Sequence, residues 1–246
     1  MVDIHCHLLP GIDDGPATME DSLAMCAMLL EDGCDAVVAT PHQRHELWPN
    51  EDLEALETLR AEVESRAPRG LSVHLGAEIR VNPELVADLA NQSTGIQPLA
   101  GGRHLLIEFD RRQPPPAPGA AALVHELVVA GWRPILAHPE LIPWLSEDLD
   151  ELTALVRAGA RCQVTAMSVT GEFGRWAHER CSGLLEAGLV HVVASDAHSP
   201  RRRPPGLRAA HRWLAEHHGD ALAERLTTTY PAAVLLDGLI PEDPLQ

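Results

Sequence analysis

Short apolar runs, each about the length of a β-strand, recur along the chain at a nearly constant interval. They begin near Val2 (VDIH), Ala36 (AVVAT), Ser72 (SVHLG), His104 (HLLIEF), Pro134 (PILAH), Arg161 (RCQVT) and Val190 (VHVVAS). Successive starts lie 34, 36, 32, 30, 27 and 29 residues apart. Each run is rich in β-branched residues or Leu, which suit a buried strand. Between the runs the apolar spacing becomes helical. Residues 19–32 place Leu23, Met25, Cys26, Met28, Leu29 and Leu30 in such a pattern, with Thr18 and Asp21 as an N-terminal cap and Gly33 as a C-terminal stop. Residues 51–66 align Leu53, Leu56, Leu59 and Val63 on one stripe, with acids and Arg opposite. Segments 83–90, 119–131, 146–158, 172–187 and 206–218 also predict helices.

A strand and a helix in every such interval make a βα unit, and the seven runs predict seven units. Tandem units place parallel strands in one sheet, which either closes into a barrel or stays open and doubly wound. The length of 246 residues suits one α/β domain spanning residues 1–246. The Pro-rich stretch Arg111–Pro118 predicts a stiff loop, and Gly238–Gln246 a loose tail.

The strand ends carry the chemistry. The first ends in His5-Cys6-His7, the second in Thr40-Pro41-His42, the third in Gly76-Ala77-Glu78, the fourth in Glu108 and the fifth in His138. Gln163 and Thr165 lie on the sixth, and the seventh ends in Asp196-Ala197-His198. In parallel βα folds these carboxyl ends share one face, where active sites form. Six of the strands thus deliver His, Asp or Glu to one rim. Side chains alternate along a strand, so His5 and His7 share a side, as do Asp196 and His198, while Cys6 points away into packing. With Asp14 from the GIDDGP turn, nine residues offer imidazole nitrogen or carboxylate oxygen: His5, His7, Asp14, His42, Glu78, Glu108, His138, Asp196 and His198. That set suits Mn²⁺, Fe²⁺ or Zn²⁺ better than Ca²⁺, and is large enough for two or three ions if carboxylates bridge.

Each feature has a plainer reading. HxH alone is a weak signal, and Asp13 and Asp14 are ordinary turn residues in composition. His74, His104 and His191 lie within or before strands and read as core groups. His125, His178, His211, His217 and His218 read as helix-surface groups. The case for a metal site rests on the six strands together.

Composition removes other functions. Arg supplies all 19 basic charges against 36 acids, a net charge of −17. This opposes general nucleic-acid binding and docking on anionic lipid. No apolar run is long enough to span a bilayer, and no basic segment with an apolar stretch opens the chain, so a cytoplasmic protein without membrane insertion is expected. The five Cys are odd in number and form no CxxC, which predicts free thiols. None is followed by Arg after five intervening residues, so the loop of thiol-based tyrosine phosphatases is absent.

The stretches DIHCHLLPGIDDGP (3–16), TPH (40–42), GAEI (76–79), LIEF (106–109), AHPE (137–140), QVTAMSVTGEFG (163–174) and HVVASDAHSPRRRPP (191–205) resemble the PHP (polymerase and histidinol phosphatase) family. The resemblance is greatest to its branch of manganese-dependent tyrosine phosphatases of capsule and exopolysaccharide synthesis. It implies a distorted (β/α)7 barrel with a trinuclear metal centre at the carboxyl rim. By motif, His5, His7, Glu108 and Asp196 would hold one ion. Glu78, Glu108 and His138 would hold a second, with Glu108 bridging, and Asp14, His42 and His198 a third. Manganese is the expected metal, with iron or zinc as alternatives. Arg203 would contact the phosphoryl group, and the partner would be a phosphorylated tyrosine autokinase of polysaccharide synthesis. One departure stands out: Leu141 occupies a position where the branch commonly has Arg. Arg44, Arg80 or Arg111 offers a replacement cation.

The expected chemistry is metal-assisted hydrolysis of a phosphate monoester, with phosphotyrosine as substrate and Asp14 or a metal-bound water as the acid for an alkyl leaving group. Two other readings stay open. One is a small-molecule phosphatase acting on histidinol phosphate or a sugar phosphate. The other is a metal-containing regulatory module without turnover.

Overall fold

Strand propensity and strand position coincide in a computed structural model that describes residues 1–82, 84–90, 95–112, 114–115 and 119–242. The strands are β1 (Val2–Cys6), β2 (Ala36–Ala39), β3 (His42–Gln43), β4 (Ser72–Leu75), β5 (Glu78–Arg80), β6 (His104–Glu108), β7 (Arg133–Ala137), β8 (Arg161–Thr165) and β9 (Val192–Ala194). All ladders are parallel. The predicted second and third strands are each split in two, at Thr40-Pro41 and at Gly76-Ala77. Pro41 has no N–H to give a ladder, but its carbonyl still accepts from the Glu78 N–H at 3.0 Å. Gly76 is required by close approach. A Cβ there would lie 2.7 Å from Val38 Cγ1 and 2.8 Å from Leu99 Cδ2.

The splits divide the ladders between two sheets. One has the order β1-β2-β4, the other β3-β5-β6-β7-β8-β9. The expected α/β fold is present, with its parallel strands distributed over two sheets. The outer edge of β1 meets the segment after β9 through an isolated Cys6–Ala197 bridge. There the Asp196 N–H donates to the His5 carbonyl and the His7 N–H to the Ala197 carbonyl, each at 2.8 Å.

Helices follow most strands as the periodicity predicts. Met19–Glu31 starts at Thr18, whose hydroxyl accepts from the Asp21 N–H. Leu53–Arg66 starts at Asp52, whose carboxylate accepts from the Ala55 N–H, and it buries Leu56 and Val63. Further helices span Leu85–Ala90, Ala120–Val129, Leu149–Arg157, Arg175–Glu186 and Leu207–His218. Short helices at Pro143–Ser146 and Ala166–Thr170, and a helical run through Asp220–Leu235, were not expected from the apolar pattern. The core is built from Leu, Val, Ile and Ala with Phe109 and five buried, free Cys.

Gly238–Glu242 is tied down where a loose tail was expected. Ile240 is buried, its carbonyl accepts from Arg161, and the Glu242 carbonyl bonds the His191 ring. The rest of the expected tail, residues 243–246, and residues 113 and 116–118 of the expected Pro-rich loop lie outside the described residues. Among the described residues, no helix is long and apolar enough to cross a membrane.

Candidate metal centre

The carboxyl ends of the strands bring the nine expected residues into one cluster. Alternation on β1 points His5 and His7 inward, and both are fully buried. The Nδ1 of each ring faces an outer partner. His5 Nδ1 lies 2.8 Å from Gln163 Oε1 and His7 Nδ1 lies 2.8 Å from Asp13 Oδ2. Both partners are acceptors, so Nδ1 carries the proton and Nε2 presents a lone pair to the centre. Neither Nε2 has a hydrogen-bond partner, although both are buried. An unpaired buried acceptor is costly unless a cation fills the space it faces, and the donor set fits a divalent transition metal.

Glu78, the first residue of β5, lies at the middle. Its Oε1 is 2.7 Å from His138 Nε2, and its Oε2 is 3.0 Å from His42 Nδ1, 3.3 Å from His7 Nε2 and 3.6 Å from His5 Nε2. Asp196 Oδ1 is 3.4 Å from His5 Nε2. Asp14 Oδ1 is 3.3 Å from His198 Nε2 and 3.5 Å from His42 Nε2. Three subsets have ligand atoms close enough to share an ion: His7 with Asp14, His42 and His198; His5 with His7 and Asp196; and His42 with Glu78 and Glu108. Glu108 stands further out, 4.0 Å from His138 and 2.9 Å from Arg80 Nη1. The carboxylate that touches most imidazoles is thus Glu78. His138 and Asp196 both adopt positive φ, at 36° and 51°. Such backbone persists in non-Gly residues where surrounding structure imposes it, and it clusters at functional sites.

Residues 1–236 match the family described as "Capsular polysaccharide synthesis, CpsB/CapC". The chain belongs to the CpsB/CapC family. It is 33% identical over 229 residues to the tyrosine-protein phosphatase YwqE of Bacillus subtilis (strain 168), covering 92% of this chain and 89% of that protein. It is 28% identical over 251 residues to the tyrosine-protein phosphatase CpsB of Streptococcus pneumoniae, covering 98% and 100%. Its fold matches a chain from the crystal structures of YwqE and CpsB, described as unique metal-dependent tyrosine phosphatases. That match has a TM-score of 0.92 at 32% identity over 99% of this chain and 98% of the other.

In this CpsB/CapC chain the cluster opens into a cavity of about 880 Å³. Five arginines line it, Arg44, Arg80, Arg111, Arg112 and Arg203, against the overall charge of −17. Arg203 turns inward. Its guanidinium donates to Asp196 Oδ2 and lies 3.1 Å from His198 Nε2, and it sits over the Phe173 ring. Arg201 and Arg202 of the same run are exposed. Leu141 sits in a turn at Pro139–Leu141 and does not line the cavity. Arg44 bonds Asn82 and Asp88, while Arg80 bonds Asp110 besides Glu108.

The electrostatics describe a centre that demands positive charge. Burial alone would push His7 and His138 down. The carboxylates outweigh it, Asp13 and Glu78 for His7 and Glu78 above all for His138, so His7 is held well above its usual value and His138 near 9. Burial alone would raise Glu78, yet His5, His42 and His138 hold it well below the usual carboxylate range. Asp196 is lowered likewise by His5 and Arg203 against its own burial. Protons on imidazole here would compete with any metal ion for the same nitrogens.

Several site residues escape the sequence reading. Asp13 accepts from His7 Nδ1, the His42 N–H and the Gly15 N–H, which makes it the orienting partner of two candidate ligands. His45 and Trp48 line the cavity and stack against His42. Their only sequence signal is position, a few residues beyond a ligand-bearing strand end.

Proposed function

We propose that this chain is a metal-dependent phosphomonoesterase of the protein-tyrosine-phosphatase type. The observation that carries this reading is the pair of buried, unpartnered Nε2 atoms on His5 and His7, aimed at Glu78 and Asp196 on the floor of an arginine-lined cavity. The names of the CpsB/CapC relatives support the substrate class. We infer two to three divalent ions, manganese first and iron or zinc as alternatives, held by His5, His7, Asp14, His42, Glu78, Glu108, His138, Asp196 and His198. The two sheets, joined at Cys6–Ala197, are read as a distorted (β/α)7 barrel of PHP type, its second and third strands each split in two, with this centre at its rim, one domain over residues 1–246. The natural partner is a phosphorylated tyrosine autokinase of capsule or exopolysaccharide synthesis, met in the cytoplasm, where five free thiols are at home.

Bound ions supply an activated water and neutralise charge on the phosphoryl oxygens. The chain's own residues do the rest. Arg203, held against Asp196 and His198 at the cavity, would orient the phosphoryl group. Asp13 and Gln163 fix the ring tautomers of His7 and His5. Asp14 is 43% exposed beside His42 and His198. Burial disfavours its charge, but His198, His7 and His42 prevail and hold it well below the usual range. The sequence assigns Asp14 a second duty as proton donor. Its ionised form suits a ligand instead, which favours leaving groups that depart without a proton, as a phenolate does. A panel of phosphotyrosine peptide, histidinol phosphate and a sugar phosphate tests the reading. Turnover should be highest on the peptide and be abolished by chelation; preference for either small phosphate would overturn it.

A further inference from the structure

The loop after β3 is closed at its base by hydrogen bonds. Arg44 and Asn50 have φ of 60° and 43°, and the Arg44 N–H donates to the Pro49 carbonyl at 3.0 Å, closing its base. Asn50 donates to the carbonyls of Ile12 and His42, and Gln43 donates to the Asn50 carbonyl. Two rings of the loop pack with that of His42 in β3. Trp48 stacks on His42 at 5.2 Å between centroids and 8° between planes. His45 stacks on Trp48 at 4.8 Å and on His42 at 5.3 Å. His42 belongs to the metal cluster, so the other two rings stand one ring's width from it. They line the same cavity, and both are half-buried.

The rest of that cavity is strongly polar. Among the described residues lining it, apolar side chains are limited to Trp48 and Val81; charged groups, imidazoles and Asn82 make up the remainder. The ring of an aryl phosphate begins one atom from the phosphoryl group. With phosphorus at the cluster, the ring must lie in this cavity, and an apolar face there is favoured against an aromatic wall over arginines and carboxylates.

We propose that Trp48 and His45 form the aryl-binding wall of the site, holding the ring of a phosphotyrosine side chain while its phosphoryl group meets the metal cluster. The inference rests on the phosphatase reading and makes the loop its determinant of substrate class. The wall discriminates between aryl and alkyl esters by contact with the ring, and has no part in bond cleavage.

The test compares phenylphosphonate with methylphosphonate, two non-hydrolysable probes that share the headgroup. Binding to manganese-loaded protein is measured by calorimetry for the native chain, Trp48→Ala, Trp48→Phe and His45→Ala, with metal content determined on each sample. The native chain should favour the phenyl probe. Trp48→Ala should lower that preference about three- to tenfold, His45→Ala should lower it less, and Trp48→Phe should keep most of it. Equal binding of both probes by the native chain would overturn the proposal. So would an undiminished preference in both alanine variants. Parallel loss of both probes together with metal would show that Trp48 only buttresses His42, and would overturn it too. If the native chain binds neither probe and hydrolyses no phosphotyrosine peptide, the phosphatase reading itself fails. Hydrolysis with unaltered preference removes the aryl wall alone.

Discussion

Asp13 and Asp14 are adjacent, chemically identical and placed in one turn, yet the fold gives them different work. Asp14 reaches His42 and His198 at the cavity, while Asp13 sits behind His7 and bonds its Nδ1 at 2.8 Å. Losing such an outer partner commonly weakens a metal site about 10–100-fold. Asp13→Asn should therefore reduce Mn²⁺ affinity by that order, read by titration of chelated protein; unchanged affinity would remove Asp13 from the site. Arg203 calls for a different outcome. Its charge-assisted bonds are worth about 1.5–3 kcal/mol each, so Arg203→Ala should lower kcat roughly tenfold to a hundredfold with metal content retained. Arg201→Ala, on an exposed side chain, should change kcat little. Equal losses at both positions would mark the run as surface charge. At this scale the sequence was legible where strand alternation fixed direction, as at His5 and His7. It marked Asp13 only as a turn residue and was silent on His45 and Trp48, whose placement depends on loop geometry.

The elements were largely legible because their signal is periodic. All seven strand starts and most helices lie within a few residues of the apolar pattern. The splits of the second and third strands were not visible. They arise from Pro41, which cannot donate to a ladder, and from the close approach around Gly76, neither of which changes the hydrophobic spacing. The same crossing from one sheet to the other places His42 and Glu78 at the start of β3 and β5, directly across from each other in register. Gly76 is accordingly a stability determinant of the site. Gly76→Ala would force a methyl against Val38 and Leu99 and should cost about 1–3 kcal/mol. For a chain of this size that lowers Tm by about 2–12 °C, measured by calorimetry of the metal-loaded protein. An unchanged Tm would show that these neighbours yield freely. The helices after residue 218 were missed because a run through Asp220–Leu235 buries scattered positions without one clean stripe.

For the whole molecule, the cluster couples folding to protons and metal. Without metal, His138 is held near 9, above its ordinary 6.5. A raised imidazole value contributes stability that is fully present below the unfolded value and is lost as pH rises through the folded one. Chelated protein should therefore lose Tm between about pH 6.5 and 9 as His138 sheds its proton beside Glu78. Saturating Mn²⁺ should suppress or reverse that trend, because metal requires the deprotonated rings and releases protons on binding. Identical pH profiles with and without metal would contradict the linkage.

The central claim, that one buried rim holds several ions and uses them on phosphotyrosine, meets its most direct test in a single sample. Protein purified without chelator is divided between elemental analysis and a phosphotyrosine-peptide assay. The account predicts two to three manganese, iron or zinc ions per chain, activity lost on chelation, and recovery on adding Mn²⁺ in step with the ions regained. Full turnover by protein containing one ion per chain or fewer would contradict it.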